Sequence, residues 1–417
     1  MEKTTALISN DAVVFGLLLA ILAFVFKTSN SSHPGLKKFY SFVPMLLLCY
    51  FLPSLLNTFN IVDGEHSNLY FVASRYLLPA CLILLTLSVD LREIAKLGYK
   101  PVLMFLTGTV GVILGGPLAI LLASFVSPEL VGGAGPEAVW RGMATVAGSW
   151  IGGGANQAAM YEVFSPSNNL YGIMIAVDIV VAEIWMVFLL IGIGKKDKID
   201  RFFKADSSSV TNLQNKMEAY GKSIARNPST TDLMVMLGIA FSATAFAHFC
   251  ADRIAPYIGL NAPSLAKFSL TSQFFWLIVI ATAIGVILSF TKVRQYEGTG
   301  ASKIGTVFIF ILVATIGMKM DIRSLADHPG LFIVGGIWML IHIVLLLVVG
   351  KLIRAPYFFL AIGSKANIGG AASAPVLAAA FHPALAPVGV LLAVLGYVLG
   401  TYGAWLCGLL MQAIAPV

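Results

Sequence analysis

The chain has 417 residues, of which 58% are hydrophobic and only 11% charged. Water-soluble domains carry about 25% charged residues, so the composition excludes an ordinary soluble enzyme or binding module and points to an all-α polytopic membrane protein. The formal net charge of +7 would suit nucleic acid, but the Lys and Arg residues sit in short loops between apolar runs, the pattern that orients membrane proteins, so no nucleic-acid partner is expected.

The N-terminal MEKTTALISND lacks the basic start and small-residue cleavage site of a signal peptide. Apolar runs of about 20 residues, enough to cross a bilayer core, cover roughly 12–26, 40–59, 69–89 and 101–126. The next region, 141–163, differs: within GSWIGGGANQAAM (148–160), Gly152, Gly153 and Gly154 precede Asn156 and Gln157. The run 168–194 carries Asp178 and Glu183. A polar segment, 195–229, holds eight Lys/Arg against four acids and reads as a solvated cytoplasmic linker with an interfacial helix around 212–224. Apolar runs resume at 231–250, 271–291, 304–318 and 331–350; a second glycine-rich stretch, 356–381, contains GSKANIGGAAS (363–373), and a last span covers 385–412.

The linker separates two similar halves. LSVDLREI (87–94) ends the third span of the first half and MKMDIRSL (318–325) the third of the second, aligning Asp90 and Arg92 with Asp321 and Arg323. Farther on, RGMATVAGSWIGGGAN (141–156) resembles RAPYFFLAIGSKANIGG (354–370). The shared order predicts a duplication: an N-terminal repeat 1–194, the linker 195–229 and a C-terminal repeat 230–417.

Loop charge fixes the expected orientation. Lys27, Lys37 and Lys38 make the first loop basic; Asp63 and Glu65 make the second acidic; Arg92, Lys96 and Lys100 make the third basic; Glu129 and Glu137 make the fourth acidic. This alternation puts the N-terminus outside, and six crossings would then place the basic linker outside too, against the positive-inside rule. The conflict disappears if 141–163 enters from outside, turns at its glycines and leaves on the same side. Each half then has about five transmembrane helices plus a re-entrant hairpin, the halves are inverted, and the second hairpin enters from the cytoplasm. A broken helix that crosses is the rival geometry.

Irregular backbone at membrane depth is tolerated only inside protein or beside a wet cavity, and two such breaks in matching places are the sequence pointer to a transporter's binding site. The expected solute site is Gly152, Gly153, Gly154, Asn156, Gln157, Ser364, Lys365, Asn367, Gly369, Gly370 and Ser373. Neutral amide and hydroxyl oxygens with a carboxylate suit Na⁺, so Asp178, Asn156, Asn367 and Thr401 are the expected ion ligands; Tyr397 adds a hydroxyl. Asp178 and Glu183 are five residues apart, about 140° around a helix, so they do not share a face; Glu183 is expected to pair structurally. Lys365, aligned with Trp150, would neutralise Asp178 or bind an anionic solute. His248 and His342 read as buried, hydrogen-bonded residues, Arg75 as snorkelling or paired, and the four cysteines as small buried residues. No P-loop, nucleophile elbow or HExxH is present.

Over GSWIGGGANQ and GSKANIGGAAS, and over essentially the whole chain, the sequence resembles the YjcL-type family of bacterial membrane proteins, a domain-of-unknown-function family. It is more distantly similar to the glutamate–sodium and 2-hydroxycarboxylate–sodium symporters. That resemblance implies an ion-coupled secondary transporter of the bacterial inner membrane, often dimeric, with a mobile core and a scaffold. The expected core is about 69–194 and 304–417; the expected scaffold is about 11–60 and 231–292. The first hairpin lacks the His that the glutamate symporters carry after their glycines and the second has a Lys, so substrate identity does not carry over. The leading expectation is Na⁺- or H⁺-coupled symport of a small anionic solute (an amino acid, short peptide or carboxylate) without other cofactor. The alternatives are a cation/proton antiporter and an intramembrane enzyme.

Overall fold

The structure, a computed structural model, describes residues 6–43, 45–64, 67–87, 94–95, 97–206, 208–215, 227–268, 270–319, 329–382 and 385–416. Its principal helices are α1 (Asp11–Ser29), α2 (Pro34–Phe42), α3 (Met45–Thr58), α4 (Leu69–Leu87), α5 (Tyr99–Ser124), α6 (Val139–Phe164), α7 (Asn168–Ile193) and α8 (Lys196–Phe203). After the linker come α9 (Thr230–Asn261), α10 (Gln273–Ser289), α11 (Ala301–Gly317), α12 (Gly330–Leu352), α13 (Tyr357–Asn367), α14 (Gly370–Phe381) and α15 (Ala386–Ile414). No strand occurs among the described residues; one isolated bridge joins Ile8 to Val62.

Every apolar run read in the sequence becomes helix, because only helix satisfies all backbone polar groups within one apolar segment. Polar residues set several starts: Asn10 caps α1, Ser167 caps α7, and Ser229 with Asp232 forms a capping box on α9. Among the described residues, seven helices are long and apolar enough to cross a membrane, or eight if α10 and the turn Lys292–Thr299, bent by 95°, count as one span. The expected span 40–59 is divided between α2 and α3. On α5 the exposed stripe Val110, Leu114, Leu118 and Leu121 keeps to one helix face, an apolar surface that suits lipid and not water. The matched pairs Asp90/Arg92 and Asp321/Arg323 lie outside the described residues. Of the expected linker helix 212–224, only 212–215 are described, within a helix over 208–215.

Both glycine-rich segments are helical hairpins. A straight 26-residue helix is about 39 Å long, yet in α6 the Trp140 and Phe164 rings meet at 5.6 Å and Arg141 donates to the Phe164 carbonyl. The turn is at Gly153 (φ 72°, ψ −172°), a conformation that a side chain strains and glycine adopts freely. In the second segment the Phe358 and Phe381 rings meet at 5.1 Å, so α13 and α14 also fold back on each other, around Gly369 (φ 108°) and Gly370 (φ 52°). The rival broken helix running straight on does not occur at either place.

Packing sorts the helices into two groups. The hairpins, α5, α7, α12 and α15 pack chiefly among themselves, with α15 lying along both hairpins. The first three helices of each half, α1, α3 and α4 with α9, α10 and α11, pack chiefly on one another. Thus 69–87 and 301–317 lie against the helices of the expected scaffold.

The first hairpin's arms touch without room for a side chain: a Cβ on Gly148 would stand 2.5 Å from the Asn156 carbonyl oxygen. Gly148→Ala is expected to destabilise by about 1–3 kcal/mol through overpacking. Gly16→Ala, at a helical site with nothing within 4 Å, is expected to be neutral or stabilising by up to about 1 kcal/mol. Thermal unfolding of both variants in detergent checks the contrast; a neutral Gly148→Ala would argue against the hairpin contact.

Candidate functional site

The two breaks meet. A Cβ built on Gly370 would lie 3.9 Å from the Gly153 Cα, and one on Gly153 would lie 3.6 Å from the Tyr397 ring. Gly152 and Gly370 are buried, Gly153 and Gly154 half-buried, and Gly369 exposed.

Each hairpin is fastened by one asparagine in the same chemical pattern. Asn156 Nδ2 donates to the Gly152 carbonyl (3.1 Å) and to the Tyr397 carbonyl (3.2 Å), and its Oδ1 accepts from Thr401 Oγ1 (2.7 Å). Asn367 Nδ2 donates to the Gly363 carbonyl (2.9 Å) and to the Phe105 carbonyl (2.8 Å), and its Oδ1 accepts from Thr109 Oγ1 (2.8 Å). In both cases the amide takes the carbonyl four residues back in its own hairpin, across the Gly153 turn for Asn156 and within one arm for Asn367. It also takes a carbonyl and, four residues on, a threonine hydroxyl from a crossing helix. Of these four carbonyls Gly152 stands beside a break, whereas Tyr397, Phe105 and Gly363 lie within α15, α5 and α13, so the amides chiefly pin each hairpin to a crossing helix.

Helix α7 lies across both hairpins. Positions 178, 182 and 185 share one face (i, i+4, i+7). Asp178, 5% exposed, accepts Trp150 Nε1 (2.7 Å) and Gln157 Nε2 (3.1 Å) from the first hairpin. One turn on, Lys365 Nζ of the second hairpin donates to the Ala182 carbonyl (3.2 Å). Next, Trp185 Nε1 donates to Ser364 Oγ (2.8 Å). Ser364 then has its proton for His342 Nε2 (2.8 Å), while His342 Nδ1 donates to the Gly108 carbonyl (3.0 Å). A carbonyl can only accept, so in this ladder His342 carries a proton on Nδ1.

Lys365 is fully buried, and the Glu183 and Asp178 carboxylates act electrostatically on its ammonium. A buried ammonium is costly without such compensation. Among the described residues it makes one hydrogen bond, which leaves donor capacity at the tip: a Cβ on Gly369 would lie 3.2 Å from Lys365 Nζ and 2.1 Å from Ser373 Oγ. Ser373 Oγ is itself buried without a partner.

The expected residues therefore fall into several separate places. Gly152–Gly154, Gly369, Gly370, Lys365 and Ser373 gather at the meeting tips. Asp178 and Gln157 are joined to each other. Asn156 pairs with Thr401, which stands 3.2 Å from Thr282, and Asn367 pairs with Thr109, so the four expected Na⁺ ligands are spread over separate hydrogen-bonded sets. Ser364 is engaged on both sides by Trp185 and His342. Glu183 is exposed on the opposite side of α7 from Asp178, among Val180, Ile184 and Val187. Arg75 pairs with Glu162 at 2.7 Å, and His248 Nε2 lies 2.8 Å from the Arg75 carbonyl. The cysteines are free; Cys250 is half-buried and the others are buried. Sequence reasoning did not single out Trp185 or Thr109. Trp185 shares the Asp178 face by spacing, a usable signal; Thr109 carries none.

Comparison with known proteins agrees with the resemblance. The profile of a family described as "Protein of unknown function (DUF819)" matches residues 16–414. The chain is also 26% identical over 352 residues to the "Uncharacterized membrane protein YjcL" of Bacillus subtilis (strain 168), covering 81% of this chain and 82% of that one. The chain belongs to the DUF819 family and is a membrane protein.

Ser364→Ala would leave Trp185 Nε1 and His342 Nε2 buried without partners, at about 1–3 kcal/mol for each group. A clear fall in the melting temperature of the detergent-purified protein is expected; an unchanged value would mean that the ladder contributes nothing to stability.

Proposed function

We propose that this membrane protein is a secondary active transporter, coupling Na⁺ or H⁺ to symport of a small anionic organic solute by alternating access. The observation that carries the reading is the meeting of two helical-hairpin tips, Gly153 against Gly370, beside the buried Asp178 and Lys365. Half-helices that end at depth direct backbone donors and carbonyls at solute and ion. In this reading the anionic group of the solute is held at the Gly369 tip by Lys365 Nζ, Ser373 Oγ and the N-terminal N–H groups of α14. Asp178 takes the coupling cation or proton, exchanging its Trp150 and Gln157 donors for it. Cation binding then organises the tips for the solute, and the reciprocal effect follows by linkage.

The order of elements, with a hairpin fifth in each half, supports inverted repeats. The two packing groups support a moving unit of α5–α7 and α12–α15 against a scaffold of α1–α4 and α9–α11, which would carry any dimer contact. The proposed placement is the inner membrane, with the N-terminus outside and 195–229 in the cytoplasm.

A cation/proton antiporter is the second reading, favoured by the proximity of buried Lys365 to Asp178, since ammonium and cation would compete for one carboxylate. Proteoliposomes separate the two: solute uptake that needs an ion gradient supports symport, and Na⁺-driven proton movement without solute supports antiport.

In either reading Asp178→Asn is expected to abolish gradient-driven transport in folded protein; wild-type transport by that variant would remove Asp178 from the site. In a cysteine-free background, Gly153→Cys is expected to react with impermeant thiol reagent from outside and Gly369→Cys from the cytoplasm. The reverse pattern would overturn the proposed orientation.

A further inference from the structure

A charged surface beside the second hairpin is not used by the transport reading. Helix α7 ends at Ile193 and α8 begins at Lys196, so α8 starts where a membrane span has just ended. It is two-sided. Phe203 is 3% exposed and lies against Gly350, and Asp200 accepts the Tyr357 backbone N–H at 2.7 Å, capping the first arm of the second hairpin. The other side presents Lys195, Lys196, Lys198, Arg201 and Lys204, all exposed. None of these five cations makes an ion pair among the described residues. With them stands Phe202, 64% exposed, its ring 3.7 Å from the Lys351 ammonium. A recess of about 530 Å³, lined by Asp197, Asp200, Arg201, Lys204 and Ala205, opens along this side.

We propose that α8 lies in the headgroup layer and binds the phosphate groups of anionic phospholipids through Arg201, Lys204 and the lysines beside them. Three observations converge on a lipid and not a free anion. The cations follow directly on a membrane span. An exposed aromatic ring stands among them, the pairing that suits a headgroup–acyl boundary. Their charge also exceeds that of the local acids, five against Asp197, Asp200 and Asp206, while Asp200 is committed to the hairpin and Asp206 Oδ1 to the Ser208 N–H. Basic residues beside a span draw anionic headgroups with a range set by the Debye length, about 8 Å at physiological salt. The surface is tied to the second hairpin at both ends of its mouth: Asp200 holds Tyr357, and Gln214 Nε2 lies 3.3 Å from His382 Nε2.

Native mass spectrometry of the delipidated full chain tests the proposal without any transport assay. Phosphatidylglycerol and phosphatidylcholine of matched chains are titrated onto the wild type and onto a variant carrying Lys195→Gln, Lys198→Gln, Arg201→Gln and Lys204→Gln. The wild type is expected to retain phosphatidylglycerol preferentially, the preference falling with salt. The variant is expected to lose at least about five-fold of it, the worth of one surface cation. Equal retention of both lipids by the wild type, or an unchanged preference in the folded variant, overturns the proposal. So does displacement of phosphatidylglycerol by inorganic phosphate at equal concentration, which would assign the site to a free anion. Should the variant fail to fold, the wild type decides: a preference insensitive to salt overturns the electrostatic site.

Discussion

The structure depends on how it satisfies backbone that has been broken inside an apolar environment. A helix stopped at Gly153 or Gly369 releases carbonyls and N–H groups that cost several kcal/mol each when left bare in hydrocarbon. Two asparagines pin the broken segments by one device, an amide wedged between its own hairpin and a crossing helix and locked by a threonine four residues along that helix. The device recurs at non-equivalent positions: Asn156 follows its break and grips α15, whereas Asn367 precedes its break and grips α5. Local chemistry, and not inheritance of the residue from a duplicated ancestor, accounts for the likeness. The close approach that the clamps need is set by glycine, as at Gly108, where a Cβ would stand 2.8 Å from Asn367 Nδ2.

Committing the amides to the backbone decides what remains for function. The polar groups of Asn156, Asn367, Ser364 and Thr401 are consumed in holding the hairpins and α7 in register. The capacity left over is concentrated where the tips meet: a lysine ammonium with one carbonyl partner, a serine hydroxyl with none and an exposed glycine. A protein that needed only to pack two hairpins would have no use for a buried ammonium and carboxylate, because apolar side chains of similar volume pack there at no desolvation cost. That excess of charge over structural need is the reason for placing the site at the tips.

Much of the architecture is legible in the sequence, because bilayer crossing imposes long apolar runs and charge alternation, and these survive in one dimension. The hairpins are legible for the same reason: six crossings would misplace the basic linker, and only glycine suits the turns. The role of Asn156 and Asn367 is not legible. Both read as groups free to hold cargo, since nothing local reveals that their partners are Thr401 and Thr109, 245 and 258 residues away. The ladder from Trp185 to Gly108 is hidden likewise, being assembled from four helices. The grouping of α4 with the first two helices of its half was also out of reach, because its composition matches that of its neighbours and only packing distinguishes it.

The halves differ most where they meet α7, and that difference has a mechanical consequence. The first hairpin offers α7 a neutral donor, Trp150, which bonds a carboxylate; the second offers a charged donor, Lys365, which bonds a carbonyl one turn away. Charge at one level of α7 is thus balanced by charge one helical turn along the same face. A cation arriving at Asp178 would release Trp150 and Gln157 and weaken the field that offsets the Lys365 ammonium. The lysine would then need another anion, and the exposed Gly369 and the Ser373 hydroxyl stand beside it. Matched residues in the two hairpins would sever this connection, since two tryptophans would leave no charge to respond and two lysines would overcompensate one aspartate. In the proposed transport reading, the asymmetry is the feature through which occupancy on one hairpin would be felt on the other.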